Sequence, residues 1–401
     1  MFSRRNFINS ALAGSLSFGL SKKSFSAQQT AVQSREVKRA AKLPVMICSE
    51  YSYNWLDEAY KLLKGGGDTL DAALVAIKGP EDDPNYQNVG LGGRPNEEGV
   101  VELDASCMHG PTRTAGAVGG VRNIRNVSLL ANSVRLRTGH VMLVGEGAER
   151  FALAEGFQRE TLLTEKSRKD WLLWKETHSD WWGVGLGSHD WRKRFRQPQH
   201  GEEWNSRLQR MQEIAADIGI APADRMESIR SIIYPPTGTT HCSALNERGE
   251  ISGCTTTSGL AWKIPGRLGD SPIIGAGCYT DPDVGSAGAI GSGEENIKVA
   301  GAHTIIENMR HGMSPLEAGM DAIKRIVRNY DGDRERLQFV DMVYYILRKD
   351  GAYAGVSLWE GYGAGEPHKV AVHDGFKRLD KTVNLFSGPS QNWPPVPSVM
   401  R

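Results

Sequence analysis

The feature that most constrains this chain is a pair of short runs, Thr239 to Leu245 and Glu250 to Thr257, joined by Asn246-Glu247-Arg248-Gly249. Two runs of strand length around a turn rich in Asn and Gly read as an antiparallel β-hairpin. The turn-prone stretch Pro235-Pro236-Thr237-Gly238 comes before it, so the hairpin starts abruptly at Thr239. Ile273 to Tyr279 and Val284 to Ile290 read as further strands, dense in Gly and Ala, which let another backbone or a ligand come close.

The rest of the chain is organised in blocks. Residues 44 to 50 read as a buried strand, 54 to 64 and 68 to 78 as helices, the second opened by Asp68. Gly99 to Gly110 reads as a strand, Ser128 to Arg137 as a helix and His140 to Gly145 as a strand. Past the hairpin come helices at 295 to 311 and 315 to 329. The second opens on Ser314-Pro315-Leu316-Glu317, a capping box with proline at the first helical position. Phe339 to Arg348 and Ala352 to Leu358 form a last hairpin around Lys349-Asp350-Gly351, with Lys369 to His373 beyond. Helices and strands in blocks in each half predict a layered α/β unit, two sheets stacked between helix layers.

Two regions stand apart. From about 160 to 236 the sequence is polar, lacks a sustained period and holds most of the ten tryptophans, including Trp181-Trp182. Those tryptophans are expected to anchor the segment to its own domain, in preference to forming a sugar platform. Asn384 to Arg401 is proline-rich and expected to pack loosely. At the start, Ser3-Arg4-Arg5-Asn6-Phe7-Ile8 precedes a mildly apolar stretch, too short and polar to span a bilayer, which ends at Leu20. This resembles a twin-arginine export signal over residues 1–27 and predicts a periplasmic protein, free of the membrane after export.

Charge and cysteine usage exclude several function classes. Among 401 residues, 48 Lys and Arg balance 47 Asp and Glu, so no global field draws nucleic acid or an anionic membrane. The run Arg192 to Arg196 reads as a solvated loop face. The length alone suggests two or three domains. Cys48, Cys107, Cys242, Cys254 and Cys278 lack metal-ligand spacing and sit in apolar runs, so they are expected as buried hydrophobes. His178, His189 and His200, eleven residues apart, are read as surface histidines. Neither metal nor cofactor is expected. Gly288 to Gly293 has the wrong spacing for a nucleotide loop and reads as a close-packed strand end.

Chemistry concentrates in Gly238-Thr239, Gly253 to Gly259, Gly266-Arg267-Leu268-Gly269-Asp270 and Gly275 to Gly277. A threonine hydroxyl needs a base beside it to act as a nucleophile, and no Ser/His/Asp or Cys/His set supplies one. A cut before Thr239 would create that base, because the new α-amino group has a pKa of about 7.7. Arg267 and Asp270 place opposite charges on one Gly-rich loop, suited to the carboxylate and ammonium of an amino acid.

At these residues the chain resembles the glycosylasparaginases, N-terminal-nucleophile hydrolases related to the isoaspartyl peptidases and plant-type asparaginases. The resemblance runs from Pro44 to His373 and includes Gly90 to Gly99, Leu103-Asp104-Ala105, Gly116 to Gly119, His140 to Gly147 and Gly291 to Glu295. It implies a four-layer αββα sandwich and self-cleavage into a 28–238 α subunit and a 239–401 β subunit. A dimer of cleaved protomers is implied too, as is release of aspartate from N-acetylglucosaminyl-asparagine. Carried over, Thr239 is the nucleophile and Thr257 supports it. Arg267 and Asp270 hold the aspartyl part, Gly291 gives an oxyanion amide, and Tyr51 or Tyr53 contacts substrate. Two departures stand out: Ile290 occupies the place of an oxyanion threonine, and Gly238 that of an aspartate. Gly238 matches the isoaspartyl peptidase branch, the alternative activity. His241, next but one to Thr239, is expected as a satisfied strand histidine. A non-catalytic binding protein on the same scaffold is the reading from another class, and the joint presence of Thr239, Thr257, Arg267 and Asp270 argues against it.

Overall fold

Strand pairing shows how the two halves interleave. A computed structural model of the chain describes residues 41–178, 204–233, 238–362 and 367–390, all within one compact unit. The expected export signal, Trp181-Trp182, Arg192 to Arg196, His189, His200, the His178 side chain, residues 234–237 and the end of the tail lie outside the described residues. The strands in chain order are β1 (Val45–Ser49), β2 (Leu103–His109), β3 (Thr114–Val121), β4 (Met142–Val144), β5 (Thr239–Leu245) and β6 (Ile251–Thr257). They continue with β7 (Cys278–Asp281), β8 (Gly285–Gly291), β9 (Met342–Arg348), β10 (Tyr353–Tyr362), β11 (Lys369–His373), β12 (Lys377–Lys381) and β13 (Val383–Ser390). One eight-stranded sheet has the order β12-β11-β1-β5-β6-β2-β3-β4, and a five-stranded sheet the order β13-β10-β9-β8-β7. The β5–β6 hairpin thus lies near the centre of the larger sheet, flanked by strands from the first half.

Helices α1 (Leu56–Lys64), α2 (Thr69–Asp82), α3 (Val127–Arg137) and α4 (Gly145–Ala154) belong to the first half. Leu56, Leu70, Ala73, Ile77, Leu130 and Val134 bury on the outer face of the large sheet, against Cys48, Leu103 and Ala244. Asp68 caps α2, accepting from the Leu70 amide at 2.7 Å. Further helices are α5 (Glu165–His178), α6 (Trp204–Asp217), α7 (Arg225–Ile233), α8 (Gly293–Val299), α9 (Gly301–Arg310) and α10 (Pro315–Arg328). Ile305, Ile306, Ile323 and Ile326 cover the outer face of the small sheet. The Ser314–Glu317 capping box forms in full, an arrangement worth about 1 kcal/mol. Val45, Ile47 and Leu245 of one sheet meet Ile290, Val343 and Leu347 of the other. The layers therefore run helix, sheet, sheet, helix, as the sequence predicted.

Several expectations need correction. The stretch from 160 to 236 is not aperiodic where described. It contains α5, α6 and α7, which bury Leu173, Met211, Ile229 and Ile232 around Trp262. Trp174 stacks on Trp262 at 5.3 Å, and the Trp171 ring N–H donates to the Glu97 carbonyl; both anchor the segment to its own domain. Ile273 to Gly277 is a turn, with the Ile273 and Gly277 amides both donating to the Asp270 carbonyl. Strand β7 begins only at Cys278. The helix expected at 295 to 311 is two, broken at Ala300, whose φ is 46°. The start of the tail is not loose, because β13 pairs parallel with β10. Strands β3 and β12 and helix α4 were not anticipated.

Candidate active site

Thr239 is the first residue of β5, and its neighbour across the hairpin is Thr257, the last residue of β6. The hairpin register therefore brings the two hydroxyls together. Thr239 Oγ1 donates to Thr257 Oγ1 at 3.1 Å. Thr257 Oγ1 passes its own proton on to the Gly238 carbonyl at 3.1 Å and accepts from the Gly259 amide at 2.9 Å. With one acceptor and two donors fixed, the Thr257 rotor has a single satisfied orientation. Both threonines are buried.

Gly238 is held in a tight slot. A Cβ on it would lie 1.9 Å from the Cβ of Asn88 and 2.1 Å from its Cγ, so only glycine fits ahead of Thr239. Asn88 is fixed in turn by Arg94, whose Nη1 donates to Oδ1 at 2.5 Å. The Ser258 amide and hydroxyl both donate to the Asn88 carbonyl. Tyr86 packs beside Tyr51 with ring centroids 5.1 Å apart, and burial holds its phenol well above the ordinary range.

The Gly-rich loop after β6 carries the charged residues. Arg267 is mostly buried and makes a bidentate pair with Glu294, both bonds 2.8 Å. Gly259 has φ +74°, and a Cβ there would lie 2.9 Å from Lys263 Nζ and 3.3 Å from Arg267 Nη1. Glycine lets these two cations approach the Thr257 end of the hairpin. Lys263 is pinned by the Glu102 and Ser258 carbonyls, and burial lowers its pKa.

Asp270 does not pair with Arg267. Asn296 donates to its Oδ2 at 2.6 Å, and Tyr344 donates to Asn296 Oδ1 at 2.8 Å. Burial, only partly offset by that hydrogen bond, pushes the Asp270 carboxyl up to about 6. It is therefore mostly ionised at neutral pH.

Gly291 ends β8 with φ 125°, and a Cβ would strike the Asp341 carbonyl at 2.2 Å. Ile290 turns into the apolar layer between the sheets and offers no hydroxyl. Tyr51 stands against Tyr86, whereas Tyr53 lies under Lys377 Nζ at 4.6 Å. Lys377 also pairs with Asp57. A cleft of about 450 Å³ runs along the other side of the loop, lined by Glu102, Arg122, Glu146, Gly266 and Leu268; Thr239 is not part of its wall.

His241 is buried between the sheets. Its Nδ1 is 2.8 Å from Thr255 Oγ1 and its Nε2 2.8 Å from Ser243 Oγ. Burial lowers its pKa to about 3, so it is neutral and satisfied on both nitrogens. A Cβ at Gly288 would lie 2.0 Å from its Nδ1; the strand end that looks superficially like a nucleotide loop makes room for this ring. Among the described residues no group of His, Cys, Asp or Glu assembles to hold a metal.

Sequence reasoning missed Asn88, Arg94, Glu294, Asn296 and Tyr344. Asn88 and Arg94 lie within or beside a stretch that carried the resemblance, but their meeting with Gly238 depends on chain crossing. Asn296 and Tyr344 carry no local signal.

A threonine at the head of a central strand, its hydroxyl relayed to the preceding carbonyl, can attack an acyl carbon. A neighbouring loop with a guanidinium and a buried carboxylate can hold an amino acid. On two sheets between helix layers, these define an amidohydrolase of the αββα sandwich class. The chain matches the asparaginase family over residues 42–335, and it belongs to that family. It is 35% identical over 317 residues to the N(4)-(β-N-acetylglucosaminyl)-L-asparaginase of Elizabethkingia miricola, covering 79% of this chain and 77% of that one. The rat enzyme of the same name is 32% identical over 304 residues, covering 73% and 80%. A probable isoaspartyl peptidase/L-asparaginase of Arabidopsis thaliana is 28% identical over 332 residues, covering 81% and 87%.

Proposed function

We propose that this amidohydrolase cuts itself between Gly238 and Thr239 and then hydrolyses the side-chain amide of N-acetylglucosaminyl-asparagine, with Thr239 as nucleophile. The hydroxyl relay from Thr239 through Thr257 to the Gly238 carbonyl carries this reading. In the first step Thr239 Oγ1 adds to the Gly238 carbonyl carbon. Negative charge then develops on the oxygen to which Thr257 donates, a hydrogen bond that strengthens as the charge grows. The C–N bond breaks, the nitrogen takes the proton that left the Thr239 hydroxyl, and water hydrolyses the resulting ester. Gly238 becomes a carboxylate, and Thr239 keeps a free amine beside its hydroxyl.

In turnover that amine takes the Thr239 hydroxyl proton as the oxygen attacks the substrate amide. The leaving glycosylamine recovers the proton, and water releases aspartate from the ester. Asp270 holds the substrate ammonium. Arg267 holds its carboxylate, in competition with Glu294. The names of the relatives from Elizabethkingia and rat favour a glycosylated asparagine over an isoaspartyl peptide. Gly238, which fits the isoaspartyl branch, keeps that substrate as the second reading. The roles of Tyr51 and Gly291, the dimer of cleaved protomers and export by the twin-arginine route belong to the same proposal. They rest on the resemblance and on the Arg4-Arg5 leader.

Intact-mass analysis together with parallel assays on N-acetylglucosaminyl-asparagine and β-aspartyl dipeptides tests the reading. Two fragments, the second starting at Thr239, with aspartate released from the glycosylated substrate, are expected. Thr239→Ala should give one uncut, inactive chain; cleavage in that variant would place the nucleophile elsewhere.

A further inference from the structure

Four of the five cysteines stand in one row across the large sheet. Cys48 of β1 faces Cys242 of β5, Cys242 faces Cys254 of β6, and Cys254 faces Cys107 of β2. All four bury in the layer beneath the helices. One pair is in contact, with Cys48 Sγ and Cys242 Sγ 2.7 Å apart. Directly opposed residues on antiparallel strands have Cα atoms about 4.5–5.5 Å apart, within the 4.4–6.8 Å a disulfide spans. The facing register and the sulfur contact are therefore compatible with a disulfide.

We infer that Cys48 and Cys242 are a disulfide site that links the two halves of the chain across the Gly238–Thr239 bond. Cys48 lies before that bond and Cys242 three residues after Thr239. Once the bond is cut, the strand pair β1–β5 is held only by non-covalent contacts, and this disulfide is the covalent tie that replaces the lost peptide link. That meaning rests on the self-cleavage proposed above, although the disulfide itself does not. The oxidant is a small disulfide such as oxidised glutathione. One cysteine, as thiolate, attacks it and releases a first reduced thiol; the second cysteine displaces a second. The protein loses two protons and two electrons, and the oxidant's S–S bond becomes two thiols.

Burial keeps the Cys242 thiol protonated, so formation is slow. The same burial shields the finished bond from reductant, which makes it a structural link and not a switch. Cys107 of β2 and Cys254 of β6 also face each other across the cut, and a link there is one of the outcomes of the test.

The test uses purified full-length protein incubated with oxidised glutathione, then denatured, alkylated and run with and without reductant, with peptide mapping. The expected result is alkylation of three thiols instead of five and a linked peptide pair containing Cys48 and Cys242. The fragments should migrate together until reduced. Cys48→Ala and Cys242→Ala, both small-apolar replacements, should each abolish the link. Five alkylated thiols after oxidation, linkage through Cys107 and Cys254 alone, or fragments that separate without reductant would each overturn the inference. An uncut chain that still yields the Cys48–Cys242 peptide would overturn self-cleavage and leave the disulfide standing.

Discussion

Replacing Gly238 by alanine tests how the Gly238–Thr239 bond, the proposed site of self-cleavage, is held. The new Cβ would sit 1.9 Å from the Cβ of Asn88 and 2.4 Å from its Oδ1. Ordinary contact begins near 3.4 Å, so the two groups must separate by about 1.5 Å; small-to-large changes of this kind cost about 1–3 kcal/mol. Asn88 cannot simply swing aside, because Arg94 grips its amide and Ser258 its carbonyl. The displacement therefore falls on the Gly238 carbonyl, whose hydrogen bond from Thr257 fixes the line of attack. A misplacement of about 1 Å at a reacting centre can cost about 10²-fold in rate, or about 2.7 kcal/mol.

Gly238→Ala should thus slow self-cleavage by about 10²-fold, read as the half-time for appearance of the Thr239 fragment on denaturing gels. Asn88→Ala would not relieve the clash, since the closest atom is its Cβ; Asn88→Gly removes that atom and should restore much of the rate in the double variant. Cleavage of Gly238→Ala at the parent rate would refute the slot. No recovery in the double variant would mean that Asn88 acts through its amide and not through its bulk.

Thr257→Val removes the donor to the Gly238 carbonyl while keeping the shape, and should lower the self-cleavage rate by about 10²–10³-fold; Thr257→Ser should keep most of it, and parity between the two variants would discard the relay. The Asp270 carboxyl is raised to about 6, so it is charged above that pH and neutral below. Substrate capture, measured as kcat/KM, should fall as pH drops through about 6, and Asp270→Asn should be low and flat there. The same raised value means that Asp270 favours folding most when protonated, so its contribution to stability is lost as pH rises from about 4 through 6. A thermal-unfolding series should show the Asn variant losing that part of the pH dependence.

The clamp shows what a loop sequence leaves open. Arg267 and Asp270 stand on one loop, as their spacing indicates, each offered to one end of an amino acid, but the sequence does not say which protein groups hold them. The fold gives Arg267 to Glu294 and Asp270 to Asn296, because α8 presents both residues to the loop from across the sandwich. Their opposite charges hold an amino acid only if substrate competes with those partners. His241 shows the converse, since its neutrality follows from burial between sheets that a strand pattern can suggest but not measure.

What the sequence determined by itself is whatever short-range chemistry encodes. The β5–β6 hairpin follows from its turn, the helix at Pro315 from its capping box, and the alternating blocks dictate two sheets between helix layers. Thr239 and Thr257 belong to this group, because a hairpin register fixes which of its residues face each other. Tertiary structure alone decided the rest. Asn88 meets Gly238, Glu294 meets Arg267 and Cys48 meets Cys242 through strand order and layer stacking, contacts between residues far apart in the chain. The segment from 160 to 236 hid its helices because, among the described residues, their apolar faces find cover on one another and on Trp262, a residue from elsewhere in the chain. Local pattern registers a face that is wide enough to repeat; a partner supplied from elsewhere in the chain leaves no local trace.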